Sequence, residues 1–467
     1  MSTAKLVSLL ALALAGATVA DAAPPTARAP VDVTAFPSLQ AAIDANPGRI
    51  LQLPPGEYVI NAALVVTKDG TELHGPARIA QTNSAEAILR IASARGIRIT
   101  GLALTRSEGR QEARQPGVDV LGAEDVTLSN LRVTDNHTQA SIRVRDSRDV
   151  TVEDCVVINY KGVTVDDRTQ PKELYGFAFK SIDGTGIQFR GVEGGAIRNN
   201  RIQEHRLWPT REVRDRYDLG TLTVVPEVRG RLMDKDIFDT RYTNNWHQGA
   251  AIQVTGPTQT RRIVITGNSI DHPAQGLDIH ADNVTVTANI ISHAMIGMKA
   301  MHGSKHVLID GNQFSHVDLW GLKLMPGAMS RTSDYRGDSL IAPGENVDGG
   351  TIISNNIFSN FGFGDQYWNW VDHKNEYPER NVIVVLMGQL PENPPIKDVL
   401  IAGNVVHDSG RDTVLLDGRW VQASPRYFYA LYIEQKVQPA PVNVQVVGNL
   451  FDAGLNGKTN LPAGGAR

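Results

Sequence analysis

Three short segments of this chain carry proton-transferring side chains at matching positions. They read Gly276-Leu277-Asp278-Ile279-His280, Gly297-Met298-Lys299-Ala300-Met301 and Gly321-Leu322-Lys323-Leu324-Met325. Side chains alternate between the two faces of a strand, so Asp278, Lys299 and Lys323 share one outward position if the segments are adjacent strands. His280 shares the next outward position with two methionines. The segments therefore bring a carboxylate, an imidazole and two ammonium groups onto one surface.

These residue types suit abstraction of a proton beside a carboxylate. Two lysines on neighbouring strands repel each other, which disfavours the charged form of each, so one is expected to act as a base while the other stays cationic. β-Elimination from a uronic acid needs such a base, and positive charge to stabilise the enolate-like intermediate. His280 can protonate the leaving oxygen or be the base itself. Asp278 can orient Lys299 or hold a cation.

The same residues also fit a simpler interpretation. The outer face of a sheet is solvated, and Asp278 beside Lys299 is then an ordinary cross-strand ion pair. The occurrence of four such residues together, beside large insertions, favours a functional site. The predicted catalytic residues are Asp278, His280, Lys299 and Lys323.

The spacing of the segments also predicts the fold. Gly276, Gly297 and Gly321 are 21 and 24 residues apart, and a second strand and an asparagine follow the first two of these segments. A fixed period of this size indicates a solenoid, in which each repeat packs only on its neighbours. Residues at equal positions in successive coils then become neighbours in space, which is what gathers the candidate site.

Two earlier segments, residues 186–190 and 251–255, extend the two outward rows. One row reads Gln188, Gln253, Asp278, Lys299, Lys323, and the other reads Arg190, Thr255, His280, Met301, Met325. An amide and a guanidinium beside the reactive groups are suited to hydroxyls and carboxylates. We predict that Gln253 and Arg190 bind substrate.

A turn residue recurs along the chain between two strands. The turn residues are Gly101, Asn130, Asp154, Asn200, Asn268, Asn289, Asn312, Asn356, Asn404 and Asn449. Asparagine tolerates left-handed turns, and its amide can bond to the asparagine of the next coil. We interpret the 44- and 48-residue steps from 312 to 356 to 404 as single coils enlarged by a long loop. About 10–12 coils are expected, in a rod on the order of 50 Å long.

The N-terminal region predicts export and a capped first coil. Lys5, the apolar run 6–17 and the A-x-A-like site at 20–22 predict a signal peptide over residues 1–22, cleaved after Ala22, and a secreted or periplasmic protein. Residues 23–35 form a linker. A helix with Ser38 as its N-cap then covers the first coil of a β-helix domain that spans residues 36–460.

The opening "FPSLQAAIDANPGRILQLPPGEYVI" and repeats such as "VTVTANIISH", "VLIDGNQFSH" and "VLIAGNVVHD" resemble the pectate-lyase-like superfamily of polysaccharide lyases and glycoside hydrolases. The resemblance implies an all-β fold, a single-stranded right-handed parallel β-helix with an N-terminal capping helix and long loops beside one sheet. It also implies that the asparagine turn separates the second and third sheets, and that substrate binds along the first. It does not specify the activity, because the superfamily holds lyases, hydrolases, epimerases, esterases and non-catalytic spikes.

Long insertions precede strands of the predicted first sheet. One carries Trp246 and His247, and another carries Trp368 and Trp370. Indole faces are platforms for sugar rings, so we predict that these four residues bind substrate, although aromatic residues also supply the small cores of long loops. A histidine recurs four residues after three successive asparagines, at 272, 293 and 316. We interpret these imidazoles as a structural stack, since their spacing is awkward for one metal ion.

The preferred function is a polysaccharide lyase acting on an acidic, uronate-containing glycan. The alternative is a glycoside hydrolase, in which Asp278 works with a second carboxylate from Asp282, Asp318 or Glu434. The segment "GLDIHAD" is loosely similar to the D-P-H-D signature of mannuronan C5-epimerases, which adds an epimerase to the alternatives. A non-catalytic glycan-binding β-helix is the third alternative.

Composition excludes other classes of function. The net charge of −4 argues against a nucleic-acid binder, which needs a basic face. No later segment is long and apolar enough to replace the leader as a membrane span, so no membrane partner and a monomer are expected. The single Cys155 excludes an intramolecular disulfide, and we expect it to be a buried apolar residue within a strand spanning residues 152–157. The sequence specifies no cofactor. Ca²⁺ stays an open alternative, with no dense acidic cluster on one coil face to mark its site.

Overall fold

The computed structural model describes residues 29–168, 177–207, 210–221, 247–327, 329–332, 345–362, 380–407, 413–416, 419–422 and 426–462. The predicted leader and cleavage site lie outside these residues. So do Trp246, Trp368 and Trp370, three of the predicted substrate-binding residues.

The described chain is built almost entirely of short strands. In the first half these are β1 (Val31–Asp32), β2 (Ile50–Gln52), β3 (Glu57–Ile60), β4 (Leu64–Val66), β5 (Glu72–His74), β6 (Arg78–Gln81), β7 (Leu89–Ala92), β8 (Arg95–Thr100), β9 (Ala103–Arg106), β10 (Val118–Leu121), β11 (Glu124–Ser129), β12 (Arg132–Thr134), β13 (Ala140–Arg145), β14 (Arg148–Glu153), β15 (Val156–Ile158), β16 (Gly162–Arg168), β17 (Phe177–Asp183), β18 (Thr185–Arg190), β19 (Glu193–Arg198) and β20 (Arg201–Gln203). In the second half they are β21 (Ala250–Thr255), β22 (Arg261–Thr266), β23 (Ser269–Asp271), β24 (Gln275–Ile279), β25 (Asp282–Thr287), β26 (Ile290–Ser292), β27 (Ile296–Met301), β28 (Lys305–Asp310), β29 (Gln313–Ser315), β30 (Trp320–Met325), β31 (Gly349–Ser354), β32 (Ile357–Ser359), β33 (Asn381–Val385), β34 (Lys397–Ala402), β35 (Val405–His407), β36 (Thr413–Leu416), β37 (Arg419–Gln422), β38 (Tyr429–Ile433), β39 (Val442–Val447), β40 (Leu450–Phe451) and β41 (Gly457–Thr459).

Most of these strands form three parallel sheets, which confirms the predicted right-handed parallel β-helix. The first sheet has 12 strands, β4-β7-β10-β13-β18-β21-β24-β27-β30-β33-β38-β41. The second has 13, β1-β2-β5-β8-β11-β14-β19-β22-β25-β28-β31-β34-β39, and the third has 12, β3-β6-β9-β12-β15-β20-β23-β26-β29-β32-β35-β40. Each coil passes through the three sheets in turn, so neighbouring strands of a sheet are one coil apart in sequence.

A short helix covers the first coil, as predicted. It is α1 (Leu39–Ala45), and the Ser38 hydroxyl caps it by accepting from the amide of Ala41 at 3.1 Å. Leu39, Ala42 and Ile43 are buried against the core. The rod begins before residue 36, because β1 pairs with β2 and a 3₁₀ turn (Val33–Ala35) follows it.

The interior is one continuous apolar column. Alternate strand residues enter it, for example Leu277 and Ile279 of β24. The glycines that open the three repeated segments are required by close packing: a Cβ on Gly297 would lie 2.3 Å from the carbonyl oxygen of Gly321 and 2.6 Å from the ring of Phe314. The repeated glycine is therefore a packing requirement of the first sheet.

The predicted asparagine ladder runs through the corner between the second and third sheets. Each side chain from Asn200 to Asn404 bonds to the next coil; for example, Asn268 Nδ2 donates to Asn289 Oδ1 at 2.9 Å. Asn312 bonds directly to Asn356, which confirms that the 44-residue step is one coil. Left-handed backbone occurs at Asn130 itself, but in the ladder it lies one residue earlier, as at Ala288 with φ 55°.

The expectation that Cys155 lies within a strand is wrong, although its burial is confirmed. Cys155 lies in the turn between β14 and β15, at the ladder position, and its amide donates to Asn200 Oδ1 at 3.0 Å. Burial raises the pKa of its thiol to about 12. The thiol is therefore a packed, protonated group.

Insertions are concentrated beside the first sheet. One contains the antiparallel hairpin β16–β17, and residues 204–249, which include α2 (Arg211–Tyr217), lie between β20 of the third sheet and β21 of the first. By contrast, every second-sheet strand from β19 to β39 has 6 residues, and every third-sheet strand from β20 to β35 has 3. None of the helices in the described ranges is long and apolar enough to cross a bilayer.

Candidate active site

The predicted row of outward polar residues is confirmed on the first sheet. Gln188 aligns with Gln253, Gln253 with Asp278, Asp278 with Lys299, and Lys299 with Lys323. The amide of Gln188 donates to Gln253 Oε1 at 2.6 Å, and that of Gln253 donates to Asp278 Oδ2 at 3.2 Å. The side chains from Gln188 to Lys299 therefore form one connected line across successive coils, and Lys323 continues the row on the next strand.

Asp278 is the fixed anion of this line. Its residue surface is only 4% exposed, and its Oδ1 lies 2.9 Å from His280 Nε2 and 3.5 Å from Lys299 Nζ. Burial acts to raise the pKa of the Asp278 carboxyl, but the charges of His280 and Lys299 and the hydrogen bonds from His280 and Gln253 hold it well below its usual range. Asp278 is therefore a carboxylate in contact with His280 and Lys299, and it is a poor proton donor at neutral pH.

His280 lies between two partners and against a second imidazole. Its Nδ1 is 3.2 Å from the Thr255 hydroxyl. The ring of His302 meets it edge to face, with centroids 4.6 Å apart. Burial, with the nearby charges of His280 and Lys299, keeps the pKa of His302 well below its usual value. His302 is therefore a neutral ring that packs against the imidazole of His280.

The two lysines do not face each other alone. Lys299 Nζ has the Asp278 carboxylate, and Lys323 Nζ lies 3.7 Å from the centroid of the Trp320 ring. A cation over an aromatic face is favourable. Each lysine thus has a partner that the alternation pattern does not reveal.

A polar cleft of about 230 Å³ opens beside Asp278 and Lys299. Its polar lining also includes Gln139, Asp166, Asp183, Thr185, Gln188, Gln248, Gln253 and Gln275. The hairpin β16–β17 supplies Asp166 and Asp183 as one wall. Amide side chains donate to and accept from hydroxyls, and carboxylates accept from them, so the cleft suits a ligand rich in hydroxyl groups.

Sequence reasoning missed His302, Asp166 and Asp183. His302 follows the repeated segment at a left-handed position, φ 60°, and the other copies have no histidine there. Asp166 and Asp183 belong to an insertion whose antiparallel pairing carries no repeat signal. The one available sign was the length of the insertion, because a long insertion adds residues that the packed core of a coil does not need.

The remaining predicted substrate-binding residues separate into two environments. Arg190 is half-buried on the cleft face and aligns with Thr255. His247 is fully buried, and its Nε2 lies 3.0 Å from Lys161 Nζ. Burial lowers the pKa of Lys161 to about 7, against the opposing charges of Glu204 and Asp183. His247 is therefore an internal partner of a buried lysine.

The three carboxylates considered for a hydrolase do not line the cleft that holds Asp278. Asp282 accepts from His306 Nδ1 at 2.7 Å on the second sheet. Glu434 caps a turn by accepting from the amides of residues 435–437. Asp318 is buried before β30.

The predicted histidine stack is confirmed at the corner between the third and first sheets. The rings of His272 and His293 are 4.7 Å apart, and those of His293 and His316 are 4.8 Å apart. Asp271 lies 2.8 Å from His272 Nδ1 and 2.9 Å from His293 Nδ1. The ligand atoms of these three groups lie within 4.8 Å of one another, so the three form a candidate metal site. Burial opposes ionisation of Asp271, but hydrogen bonds from both histidines hold its pKa well below the usual range.

Comparison with known proteins identifies the fold. No family model and no curated protein matches the sequence. The Yersinia enterocolitica family 28 exopolygalacturonase matches with a TM-score of 0.54 and 11% identity, over 92% of this chain and 78% of that chain. A hyperthermoactive exopolygalacturonase from Thermotoga maritima matches with a TM-score of 0.52 and 10% identity, over 90% of this chain and 92% of that chain. A PL6 alginate lyase in complex with a trisaccharide matches with a TM-score of 0.47 and 12% identity, over 94% of this chain and 87% of that chain. The two exopolygalacturonases, with TM-scores above 0.5, thus agree with the right-handed parallel β-helix fold of this protein.

Proposed function

We propose that this protein is a carbohydrate-active enzyme that cleaves an acidic, uronate-containing glycan by β-elimination. One observation carries the proposal: a buried carboxylate, Asp278, holds His280 and Lys299 at its Oδ1 on the first-sheet face, beside a cleft lined by amides and carboxylates. A fixed anion between two nitrogen bases is an arrangement for proton transfer.

The residues divide the reaction between them. His280 or Lys299 removes the proton on the carbon beside the uronate carboxylate. The released electron pair forms a double bond to the neighbouring ring carbon, whose bond to the bridging oxygen breaks, and that oxygen takes a proton from the other of these two groups. The ammonium group of Lys323, one strand from Lys299, offsets the charge that develops on the carboxylate.

His302 is a positioning residue in this proposal. Its Nδ1 accepts from the amide of Met329 at 3.4 Å, so the proton of the neutral ring is on Nε2. The edge-to-face contact fixes the ring of His280 without placing a second positive charge beside it.

A glycoside hydrolase is the second candidate, and one observation favours it. The cleft brings Asp166 and Asp183 to the side of Asp278, so three carboxylates line one cavity. Hydrolysis needs two carboxyl groups about 5–9.5 Å apart. Two solved structures with the same fold are exopolygalacturonases, which supports this alternative. A glycan-binding protein without turnover is the third.

The product distinguishes these candidates. The purified protein is mixed with a panel of uronate polysaccharides, with and without chelator, and ultraviolet absorbance and new reducing ends are both followed. Elimination gives an absorbing unsaturated uronate at each new end, and loss of the signal with chelator adds a metal requirement. New reducing ends without absorbance establish hydrolysis, and binding without either product establishes the glycan-binding alternative.

We also infer that the protein is exported and begins at Ala23 after cleavage. The support is the leader pattern of residues 1–22. N-terminal sequencing of protein from the periplasm or medium is expected to give Ala-Pro-Pro. A cytoplasmic protein that retains Met1 contradicts the inference.

A further inference from the structure

A group of arginines lies on the first-sheet face, several strands before the cleft. Arg143 donates to Asp119 at 3.0 and 3.3 Å, Arg145 approaches the same carboxylate at 3.4 Å, and Arg90 lies 3.9 Å from it. Arg190 aligns with Arg145 on the next strand. We call these four arginines, with Asp119 at their centre, the arginine cluster.

The arginine cluster has more positive charge than its own carboxylate balances. Arg145 and Arg190 are direct register partners, and like charges in such positions destabilise a sheet. The guanidinium of Arg190 makes no hydrogen bond or ion pair with any described residue. The Nε of Arg145 is buried and lacks a hydrogen-bond partner among the same residues. The cluster is therefore arranged to receive an anion.

The cluster and the reactive residues belong to the same two rows. Arg143 is followed by Gln188, Gln253 and Asp278, so three strand spacings of ~4.8 Å separate it from Asp278, about 14 Å in all. In the second row, Arg190 is two spacings, about 10 Å, from His280. The bonded amides of Gln188 and Gln253 fill the interval.

We propose that the arginine cluster is a remote subsite that binds a carboxylate or sulfate group of a glycan chain held across the cleft. Guanidinium groups bind both anions through paired, charge-assisted hydrogen bonds. This inference rests on the proposed function for the chemistry at Asp278, and it specifies the substrate as a polyanionic chain that reaches from Asp278 to Arg145. Asp119, 3% exposed, fixes the orientation of Arg143, accepts from one nitrogen of Arg145 at 3.4 Å, and leaves Arg190 to the ligand.

The second sheet supplies a matched control. There Arg148, Arg261 and Arg262 surround one carboxylate, Glu193, at 2.9–3.4 Å, away from the cleft face. Removing two arginines from this group changes the net charge as much as removing two from the arginine cluster. A general loss of attraction for polyanions is thereby separated from the loss of a subsite.

The test compares R145Q/R190Q with R261Q/R262Q in the full chain. Calorimetry measures the binding of a polyuronate, a sulfated glycan and a neutral glucan at two salt concentrations. Each double variant is also combined with K299A, so that binding is measured without turnover. We expect R145Q/R190Q to weaken binding of one polyanion about tenfold or more, while R261Q/R262Q stays within about twofold of the parent.

The two anionic ligands identify which group the subsite takes, and the neutral glucan reports contacts that do not depend on charge. Equal losses in both double variants, or no loss in R145Q/R190Q, overturn the subsite. Because binding is scored without catalysis, absence of any elimination product overturns only the proposed function. Unchanged thermal unfolding of each variant confirms that the comparison is between folded proteins.

Discussion

Asp278 sets the protonation chemistry around it, because its carboxylate is shielded from water and touches two bases at once. Its charge is maintained by His280 and Lys299, and it in turn holds both nitrogens toward one oxygen. A group in this position acts through orientation and electrostatics. Changes at the bases are therefore expected to affect turnover, whereas a change at Asp278 is expected to affect turnover and stability together.

Replacement of Lys299 by alanine tests the base. We expect K299A to lower kcat by about 10²–10⁴-fold, the range typical of a lost acid–base group, with a smaller change in KM. The measurement is steady-state kinetics on the polyuronate that gives the largest signal. K397A, in the exposed second-sheet strand β34, removes the same charge away from the cleft and is expected to keep full activity. Equal kcat for K299A and wild type contradicts the proposed role.

Replacement of Asp278 by asparagine tests the ion pair. We expect D278N to lose about 1–3 kcal/mol of stability near neutral pH, less than a fully buried pair because the Lys299 side chain is 20% exposed. The folded-state pKa of Asp278 is depressed, so its contribution is present above the ordinary value near 3.9 and is lost as pH falls through the lower folded value. Urea unfolding at about pH 7 and about pH 3 measures both effects. A difference that grows on acidification contradicts this assignment.

The alternation of a strand was sufficient to predict the row from Gln188 to Lys323, because the side-chain period is two residues wherever a strand is regular. The same period does not extend into turns and insertions. His302 in a turn and Asp166 in a hairpin were therefore not predictable. The expected exposure of Asp278 and His280 was also wrong in degree, since both point away from the core yet are 4% and 7% exposed. Covering groups from other segments are invisible to local alternation.

At the scale of elements, the asparagine ladder replaces an apolar corner with a chain of amides. Asn289 is fully buried, and its Nδ2 donates to the carbonyls of Ile265 and Thr287 and to Asn312. Its Oδ1 accepts from the backbone and side chain of Asn268. Each asparagine thus satisfies backbone groups of two coils at a turn, where the backbone makes no β-sheet hydrogen bonds.

We expect N289A to be far more destabilising than N449A. The first substitution leaves the buried amide of Asn268 unpaired, at about 1–3 kcal/mol for each such group. Asn449 is half-buried in the last coil, where water can replace part of its bonding. Thermal and urea unfolding of both variants measures the difference. Equal losses of stability in the two variants would show that the contribution of an asparagine does not depend on its position along the rod, and would contradict the prediction.

A second buried carboxyl, that of Asp348 just before β31, contacts the turn after β27 and behaves in the opposite way to Asp278. Asp348 accepts from the amides of Gly303 and Ser304 at 3.0 Å and from the hydroxyl of Ser330 at 2.5 Å. Burial raises its pKa to about 7. A raised folded-state value means that the contribution of Asp348 to stability is complete below about pH 4 and is lost as pH rises to about 7.

D348N is therefore expected to become more stable relative to wild type as pH rises. The expected slope of the difference is up to about 1.4 kcal/mol per pH unit between about pH 4 and pH 7, and zero outside that window. Urea unfolding of both proteins across this range gives the slope. If the difference in unfolding free energy between D348N and wild type does not change with pH, the titration of Asp348 in this range is contradicted, whatever the mean size of that difference.

At the scale of the whole molecule, each coil packs on its two neighbours, so a lesion is expected to act locally. Phe314 and Phe358 stack in the interior with centroids 4.8 Å apart. We expect F314A to cost about 3–5 kcal/mol and to increase amide hydrogen exchange most in the coils around residues 270–360. Protection in the coils around residues 60–130 is expected to change little. V447A, at a side chain 49% exposed, is the control. A uniform increase in exchange along the chain would show that the rod opens as a single unit.

The whole-molecule prediction was the most complete, because a repeat of 21 to 24 residues with an asparagine at one turn determines coil, sheet order and stacking together. The capping helix followed from local chemistry at Ser38. The sequence did not indicate which insertions fold back onto the first sheet. That outcome depends on contacts between segments far apart in the chain, for which a repeat carries no signal.

The constancy of the second- and third-sheet strands has a consequence for how such a protein can diversify. Enlarging a loop costs little conformational entropy, about 0.6 kcal/mol for each doubling of length, and the insertions lie next to the sheet that carries the candidate site. Mutations that lengthen, shorten or exchange these loops can therefore alter ligand choice while the asparagine ladder and apolar column are inherited unchanged. The rod separates the heritable determinants of folding from those of specificity. Lineages descended from one such ancestor can then diverge in substrate long after their sequences have ceased to be recognisably alike.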